Sequence, residues 1–301
     1  MTLSVPANFK AALRELGYEW DVVTTLDSEK DVNFLLTCLN GEKIVVKIFQ
    51  DSTDIDLMMH AMSLAFSSGL RCPRIITKES NCVALSYIEG ITLSRYGVKE
   101  LLSEEIGAAV GRLTLALSKC VESRRSRLNW NFINFDSVTA DSEFPAIRSL
   151  VSQRLEKLMA QRPSCQLCHY DLNDDNILLL PSGGIGFIDF GDVDTGPRVI
   201  DLALCICYIL LNQADPSSYG IVINRVLSGY RSVINLSELE LELCGTLVIA
   251  RSLMSLSIQT SRIRTNANNS DYLGVSVTGN VKFLQYLSIG SNLEYFFSIF
   301  L

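Results

Sequence analysis

The sequence predicts an α+β chain built as two lobes: a small antiparallel sheet lobe over residues 1–88 and a larger, mainly helical lobe over 89–301. Three observations predict it. β-branched runs separated by turn signals fill roughly the first ninety residues. Apolar residues at i, i+3 and i+4 dominate from residue 96 onward. Neither a repeat nor a low-complexity linker separates the two regions. At 301 residues, 48% of them apolar, the chain is long enough for one large domain or two small ones that share a cleft.

The elements follow in order. Residues 7–17 form a short amphipathic pattern stopped by Gly17, and 20–26 and 32–39 read as strands. Asn40-Gly41 then signals a two-residue hairpin turn, and Lys43–Phe49 is a β-branched strand. A helical stretch at 53–68 is closed by Gly69, and 82–88 makes a further strand ending at Glu89-Gly90. The boundary between the lobes falls near Ile88–Thr92. Beyond it, helices are expected at 96–121, 145–160, 199–211, 216–233, 237–262 and 281–300, with a strand–loop–strand block at 165–190 between them. A sheet lobe joined to a helical lobe by a short hinge makes a natural ligand cleft.

Composition removes several function classes. The net charge is −7, and the basic residues Arg124, Arg125 and Arg127 form only a short solvated run, so no nucleic-acid partner is expected. The N-terminal residues lack a basic stretch followed by an apolar one, and Leu202–Leu211 is shorter than the roughly 20 residues a bilayer requires. A soluble, cytoplasmic protein with no membrane partner is expected. The nine cysteines are scattered through apolar contexts and read as reduced thiols. Cys165 and Cys168 form a lone C-x-x-C. A zinc site there would need two more soft ligands, yet the only histidines are His60, expected to pack on its helix, and His169.

The chemistry concentrates in residues 169–192, HYDLNDDNILLLPSGGIGFIDFGD. Asn176 follows Asp171 by five residues, then comes an apolar strand, a Pro-Ser-Gly-Gly turn, a second apolar strand and Asp189-Phe190-Gly191. Folding this hairpin brings Asp171, Asn176 and Asp189 to one mouth. An Asn carbonyl and an Asp carboxylate are hard oxygen donors suited to Mg²⁺ on nucleotide phosphates, which assigns Asn176 and Asp189 to metal. Asp171, in a His-x-Asp-x-x-x-x-Asn pattern, is the candidate catalytic base that orients an attacking hydroxyl. His169 is expected to brace this loop. Asp201, opening the apolar helix, is expected both to cap it and to hold the loop backbone. A phosphoryl-transfer site of this kind also needs a lysine on the third strand. Lys47 in Val45-Val46-Lys47-Ile48 meets that need, with Asp56 on the following helix as its expected carboxylate and Asp54 behind it. Asp174, Asp175, Asp192 and Asp194 would suit a cationic substrate or an ordinary solvated loop alike.

At these residues the chain resembles the aminoglycoside phosphotransferase and choline kinase superfamily, most nearly its hydroxylysine kinase branch. The resemblance is carried by HYDLNDDNILL at 169–179, GFIDFGD at 186–192, NFLLTCLNGEKIVVKI at 33–48 and YIEG at 87–90, and more faintly by GYRSVINL at 229–236 and SDYLGVS at 270–276. It implies a protein-kinase-like two-lobe fold and a purine nucleotide, ATP or GTP, with Mg²⁺. It places the base against the hinge backbone of Ser86, Tyr87 and Ile88. The implied reaction is transfer of the γ-phosphoryl to a small hydroxylated, amine-bearing substrate, hydroxylysine or a related amino alcohol. The alternatives are an aminoglycoside-type phosphotransferase and a nucleotide-binding pseudokinase. A protein kinase is disfavoured, because Asp201 follows Gly191 by only ten positions and no activation loop fits between them. Four features depart from the pattern: Tyr170 stands where glycine is usual, Asp56 where glutamate is usual, Asn131 follows Trp130 where aspartate is common, and the loop at 26–33 has no glycine. Tyr170, beside Asp171, is expected to alter the substrate pocket.

Overall fold

The computed structural model describes residues 4–26, 31–50, 54–97, 100–120, 131–265 and 270–301. The basic run at 124–127, residues 129 and 130 before Asn131 and residues 27–30 of the 26–33 loop lie outside them, as do the side chains of 270–276.

The chain opens with α1 (Ala7–Glu15), followed by β1 (Trp20–Leu26), β2 (Val32–Cys38) and β3 (Lys43–Ile48). After α2 (Ile55–Ser67) come β4 (Ile75–Glu79) and β5 (Cys82–Ser86), and the five strands form one antiparallel sheet in the order β1-β2-β3-β5-β4. Strand β4 was not expected from sequence. It is a partly buried edge strand of mixed character, Ile-Ile-Thr-Lys-Glu, with a register shift against β5. The turn at Asn40-Gly41 is also longer than a two-residue hairpin. Cys38 N–H donates to Glu42 O at 2.7 Å, and Gly41 takes φ 83°, which fits a three-residue loop closed by a left-handed glycine.

Alternate side chains of β3 point to opposite faces of the sheet, and that decides where Lys47 points. Ile44 and Val46 pack with Phe34 and Leu36 of β2 and with Phe9 and Leu13 of α1, so this face of the sheet is closed. Val45 and Lys47 therefore face the opposite side, toward α2 and the helical lobe.

The second lobe begins with β6 (Ile91–Thr92), α3 (Leu93–Tyr96), α4 (Glu100–Leu117), α5 (Phe135–Val138) and α6 (Pro145–Met159). Then come β7 (Cys165–Cys168), β8 (Ile177–Leu179), β9 (Ile185–Phe187) and β10 (Asp194–Pro197). Helices α7 (Ile200–Leu211), α8 (Tyr219–Arg231), α9 (Glu238–Thr265), α10 (Ser270–Leu287) and α11 (Asn292–Ser298) complete it. β8 and β9 form the expected hairpin, with β6 added at its edge, whereas β7 leaves the block to pair with β10.

Helices α4 and α8 approach through glycine. A Cβ at Gly107 would lie 2.0 Å from Val226 O, and one at Gly229 would lie 1.9 Å from Glu104 O, so neither position has room for a side chain. Helix α9 starts in a capping box, with Ser237 N–H donating to Glu240 Oε2 at 2.9 Å and Glu240 N–H to Ser237 Oγ at 3.3 Å. By length and composition α9 could cross a bilayer, with a mean hydropathy of 1.5, but 83% of its apolar window is buried in the fold. It is a core helix, packed on α6, α7 and α10.

Candidate functional site

The loop from His169 to Asn176 joins β7 to β8 and is held from below by α7. Asp201, in the first turn of that helix, is 1% exposed. Its two oxygens accept the backbone N–H groups of His169 at 2.8 Å and Tyr170 at 2.9 Å. Both oxygens are engaged there, and the N-cap position of α7 is Val199, with no side-chain cap. The expectation that Asp201 also caps its helix is thus corrected. It contributes a negative charge in the first turn, which the helix dipole favours.

Tyr170 has φ 67°, a left-handed backbone that a bulky side chain rarely adopts. The peptides on either side of the Tyr170 Cα are both held, the first by the Tyr170 N–H on Asp201 and the second by the Asp171 N–H on His169 Nδ1 at 3.4 Å, and together these bonds help to impose it. The ring is 1% exposed and tilts against Phe132, and Gly196 leaves the space it occupies: a Cβ there would meet Tyr170 Cε2 at 3.0 Å. The expected effect of Tyr170 on the substrate pocket is therefore corrected too, because the ring is packed in the interior.

His169 is fully buried and stacks on Phe190 at 4.6 Å. Its Nε2 donates to Ile188 O at 3.0 Å, and its Nδ1 accepts the Asp171 N–H at 3.4 Å. Burial, outweighing the nearby carboxylates, holds the imidazole pKa below its ordinary value, in keeping with a neutral ring. One side chain thus ties the loop carrying Asp171 to the strand end preceding Asp189. His60, by contrast, is exposed on α2 rather than packed.

The Asp171 carboxylate is shared between two sides. Oδ2 accepts from Asn173 Nδ2 at 3.0 Å and Asn176 Nδ2 at 2.9 Å; Oδ1 accepts from Arg251 Nη2 at 3.3 Å. Asn176 Nδ2 also donates to Asp171 O at 2.9 Å. Asn173 Oδ1 accepts the N–H groups of Asp175 and Asn176, closing the turn between base and amide.

Asp189, at φ 59°, begins the short 3-10 turn after β9 and accepts from Lys47 Nζ at 2.6 Å. Lys47 is 6% exposed, lies over the Phe49 ring and has Asp31 at 4.0 Å as a second carboxylate. Burial alone would depress its ammonium pKa. Asp189, with Asp31 and Asp192, outweighs that and holds the pKa above its ordinary value. For Asp189 burial acts upward, but Lys47 prevails and keeps the carboxyl below its usual range.

The expected Lys47–Asp56 pair does not form. The inward face of α2 is taken by Leu57, Met58, Ala61, Met62 and Ala65, which places Asp56 on the opposite face. There its side chain, 76% exposed, pairs with Lys78 of β4 at 2.5 Å. Asp54 caps α2 by accepting Leu57 N–H at 3.1 Å. The carboxylates near Lys47 come instead from Asp189, 142 residues away, and from Asp31 in the β1–β2 connection.

At the hinge, Ser86 N–H donates to Arg74 O at 2.8 Å and Tyr87 N–H to Lys43 O at 3.2 Å, so both donors are already used within the protein. Ile88 N–H carries no such bond among the described residues. The hinge borders a cavity of about 360 Å³ lined also by Lys43, Leu70 and Arg74, but none of Lys47, Asp171, Asn176 or Asp189 reaches it. Of the four acids considered for a cationic substrate, Asp194 is buried and bonded to Asn131 at 2.9 Å. Asp174 accepts from Asn212 at 2.7 Å; burial, with Asp175 beside it, raises its pKa to about 6. Asp175 accepts from Ser94 Oγ.

Sequence reasoning missed Arg251 and Tyr208. Arg251 is 8% exposed in the middle of α9, with Nε and Nη2 donating to the Tyr208 hydroxyl at 3.1 and 2.9 Å. A lone charge inside Leu247-Val-Ile-Ala-Arg-Ser-Leu-Met254 was the available signal.

The model of the phosphotransferase enzyme family matches residues 23–233. The hydroxylysine kinase of Danio rerio is 22% identical over 316 residues, covering 91% of this chain and 88% of the relative. That of Mus musculus is 24% identical over 324 residues, covering 90% and 85%. Among solved structures, amicoumacin kinase hAmiN in complex with AMP-PNP, Ca²⁺ and Ami superposes with a TM-score of 0.65 at 17% identity, over 91% of this chain and 93% of that one. This likeness shows the two-lobed, kinase-like α+β fold expected from the sequence.

Proposed function

Because the chain belongs to the phosphotransferase enzyme family, we propose that this small-molecule kinase moves the γ-phosphoryl group of ATP or GTP onto a hydroxyl of hydroxylysine or a related amino alcohol. The two vertebrate relatives, both hydroxylysine kinases, support that acceptor. The observation that carries the reading is the pairing of two constellations through His169: Asp171 bonded to Asn176 at 2.9 Å, and Lys47 bonded to Asp189 at 2.6 Å.

Each residue has a role in this reading. Asp171 accepts the hydrogen bond of the acceptor hydroxyl and takes its proton as the new O–P bond forms and the bond from the γ-phosphorus to the leaving nucleoside diphosphate breaks. Lys47, kept charged by Asp189, donates to the nucleotide phosphates. Ser86, Tyr87 and Ile88 hold the base through the backbone groups the sheet leaves over. Mg²⁺ fits the donor set. Asn176 spends Nδ2 on Asp171 and Asp189 spends Oδ1 on Lys47, leaving Asn176 Oδ1 and Asp189 Oδ2 as hard oxygen donors with no protein partner among the described residues. Among the described residues no group of three or more His, Cys, Asp or Glu side chains could hold a metal. The ion would be held by one amide, one carboxylate and the phosphates themselves. When bound, it would neutralise the charge on the phosphate oxygens. In this reading residues 1–88 grip the nucleotide, residues 89–301 supply the catalytic loop, and the protein works in the cytoplasm on small molecules, without nucleic acid or membrane.

The test is nucleoside diphosphate release with ATP and with GTP, in the presence and absence of hydroxylysine, other amino alcohols and aminoglycosides. Release that depends on hydroxylysine supports the reading. Binding of Mg²⁺-nucleotide without turnover of any acceptor would make the chain a pseudokinase.

A further inference from the structure

We propose that Arg251 and Tyr208 form an anion cradle beside Asp171 that receives a carboxylate of the phosphoryl acceptor, so that the substrates are hydroxylated amino acids and not amino alcohols lacking an acid group. The inference rests on the acceptor reading above and specifies which part of the acceptor the protein recognises.

Arg251 is a cation placed at cost. Its neighbours on α9 from Leu247 to Met254 are all buried, and a guanidinium is left in such surroundings only when it is well paired. The pairing seen is incomplete. Nε and Nη2 both point at one neutral phenolic oxygen, and the single contact to a carboxylate, Asp171 Oδ1, is long at 3.3 Å. The fork suits a bidentate carboxylate and does not have one. Nη1 has no partner among the described residues, and the side chain keeps 10% of its surface exposed.

Tyr208 adds a second unspent donor. Its oxygen accepts two N–H bonds from Arg251, while its own proton has no acceptor among the described residues. Burial raises the phenol pKa to about 12, so the hydroxyl keeps that proton. An N–H edge and an O–H thus stand side by side, next to the carboxylate that would take the acceptor's hydroxyl. The surrounding charge fits the same division. Asp174, Asp175 and Asp192 favour ammonium groups, and Lys47 is engaged with Asp189, which leaves Arg251, among the described residues, as the cation beside Asp171 for an acid group.

The experiment compares hydroxylysine with its carboxamide as acceptors, in the wild type, Arg251→Lys and Tyr208→Phe. Wild type should prefer the acid by roughly tenfold to a hundredfold in kcat/KM, the range expected for lost charge-assisted bonds. Arg251→Lys keeps the charge without the fork, and Tyr208→Phe removes the O–H. Each should bring the preference to within about threefold, mainly by raising KM for the acid. Should Arg251→Lys fail to fold, Tyr208→Phe and the wild-type comparison decide the matter. Equal use of acid and amide by the wild type overturns the cradle. So do variants that slow both acceptors by one factor with the preference intact, since Arg251 would then only position Asp171. Turnover of neither acceptor overturns the hydroxylysine reading and this inference together.

Discussion

Replacing Asp171 by Asn separates the chemical role of this side chain from its structural one. The carboxylate accepts from Asn173 at 3.0 Å and Asn176 at 2.9 Å through Oδ2, and from Arg251 at 3.3 Å through Oδ1. An amide has one acceptor oxygen. Turned toward the two asparagines, it sets its NH₂ against the Arg251 fork; turned toward Arg251, it opposes two short donors. The first orientation wins because it gives up only the longest bond. A hydrogen bond to a charged group is worth about 1.5–3 kcal/mol. The bond lost here is long and Arg251 keeps Tyr208, so a stability loss near the lower end, about 1.5 kcal/mol, is expected. The chemical loss is larger. Removing a general base lowers kcat by about 10²–10⁴, or roughly 2.7–5.4 kcal/mol in barrier height. Urea unfolding and kcat at saturating nucleotide should be measured on the same samples, with nucleotide affinity expected to stay close to wild type. A variant that retains more than about a tenth of wild-type kcat would refute the assignment of Asp171 as the base.

Outcomes are also expected for four other variants. Asp189→Ala should weaken Mg²⁺-nucleotide binding in calorimetry and leave Lys47 without its nearest carboxylate, whereas Asp56→Ala, which breaks only an exposed pair with Lys78, should cost at most about 1 kcal/mol and leave activity intact. Gly229→Ala should destabilise the protein by more than about 3 kcal/mol in urea unfolding, because its Cβ would lie 1.9 Å from Glu104 O and α4 and α8 would have to separate; a loss below about 1 kcal/mol would contradict the close helix contact. The Asp174 carboxyl is raised from 3.8 to about 6, so between those values the folded state holds a proton that the unfolded chain releases. Stability should therefore fall as pH rises from about 4 to 6, and Asp174→Asn should flatten that part of the profile.

The hairpin at 169–192 was legible because its signals are local: two apolar runs, a Pro-Ser-Gly-Gly turn and polar residues at both ends. The face of β3 that carries Lys47 was likewise written in the alternation of Ile44, Val46 and Ile48. The partner of Lys47 was not, because Asp189 reaches it across 142 residues, while the nearby Asp56 lies on the wrong side of α2. β10 escaped notice because Asp194-Thr-Gly-Pro197 has no strand propensity of its own and is extended by pairing with β7. Tyr170 read as a pocket residue, since nothing in the sequence announces the left-handed backbone that accompanies its buried ring. Arg251 could have been found by the argument that singled out Asp201: a charge inside an apolar helix is retained for something it touches.

The most direct test of the account is to identify the product. Purified protein, Mg²⁺, [γ-³²P]ATP or GTP and hydroxylysine should yield label on the hydroxyl oxygen of the amino acid, one phosphate per nucleoside diphosphate released, and Asp171→Asn should yield almost none. Nucleotide consumed without label on any acceptor, or label appearing equally with Asp171→Asn, would contradict it.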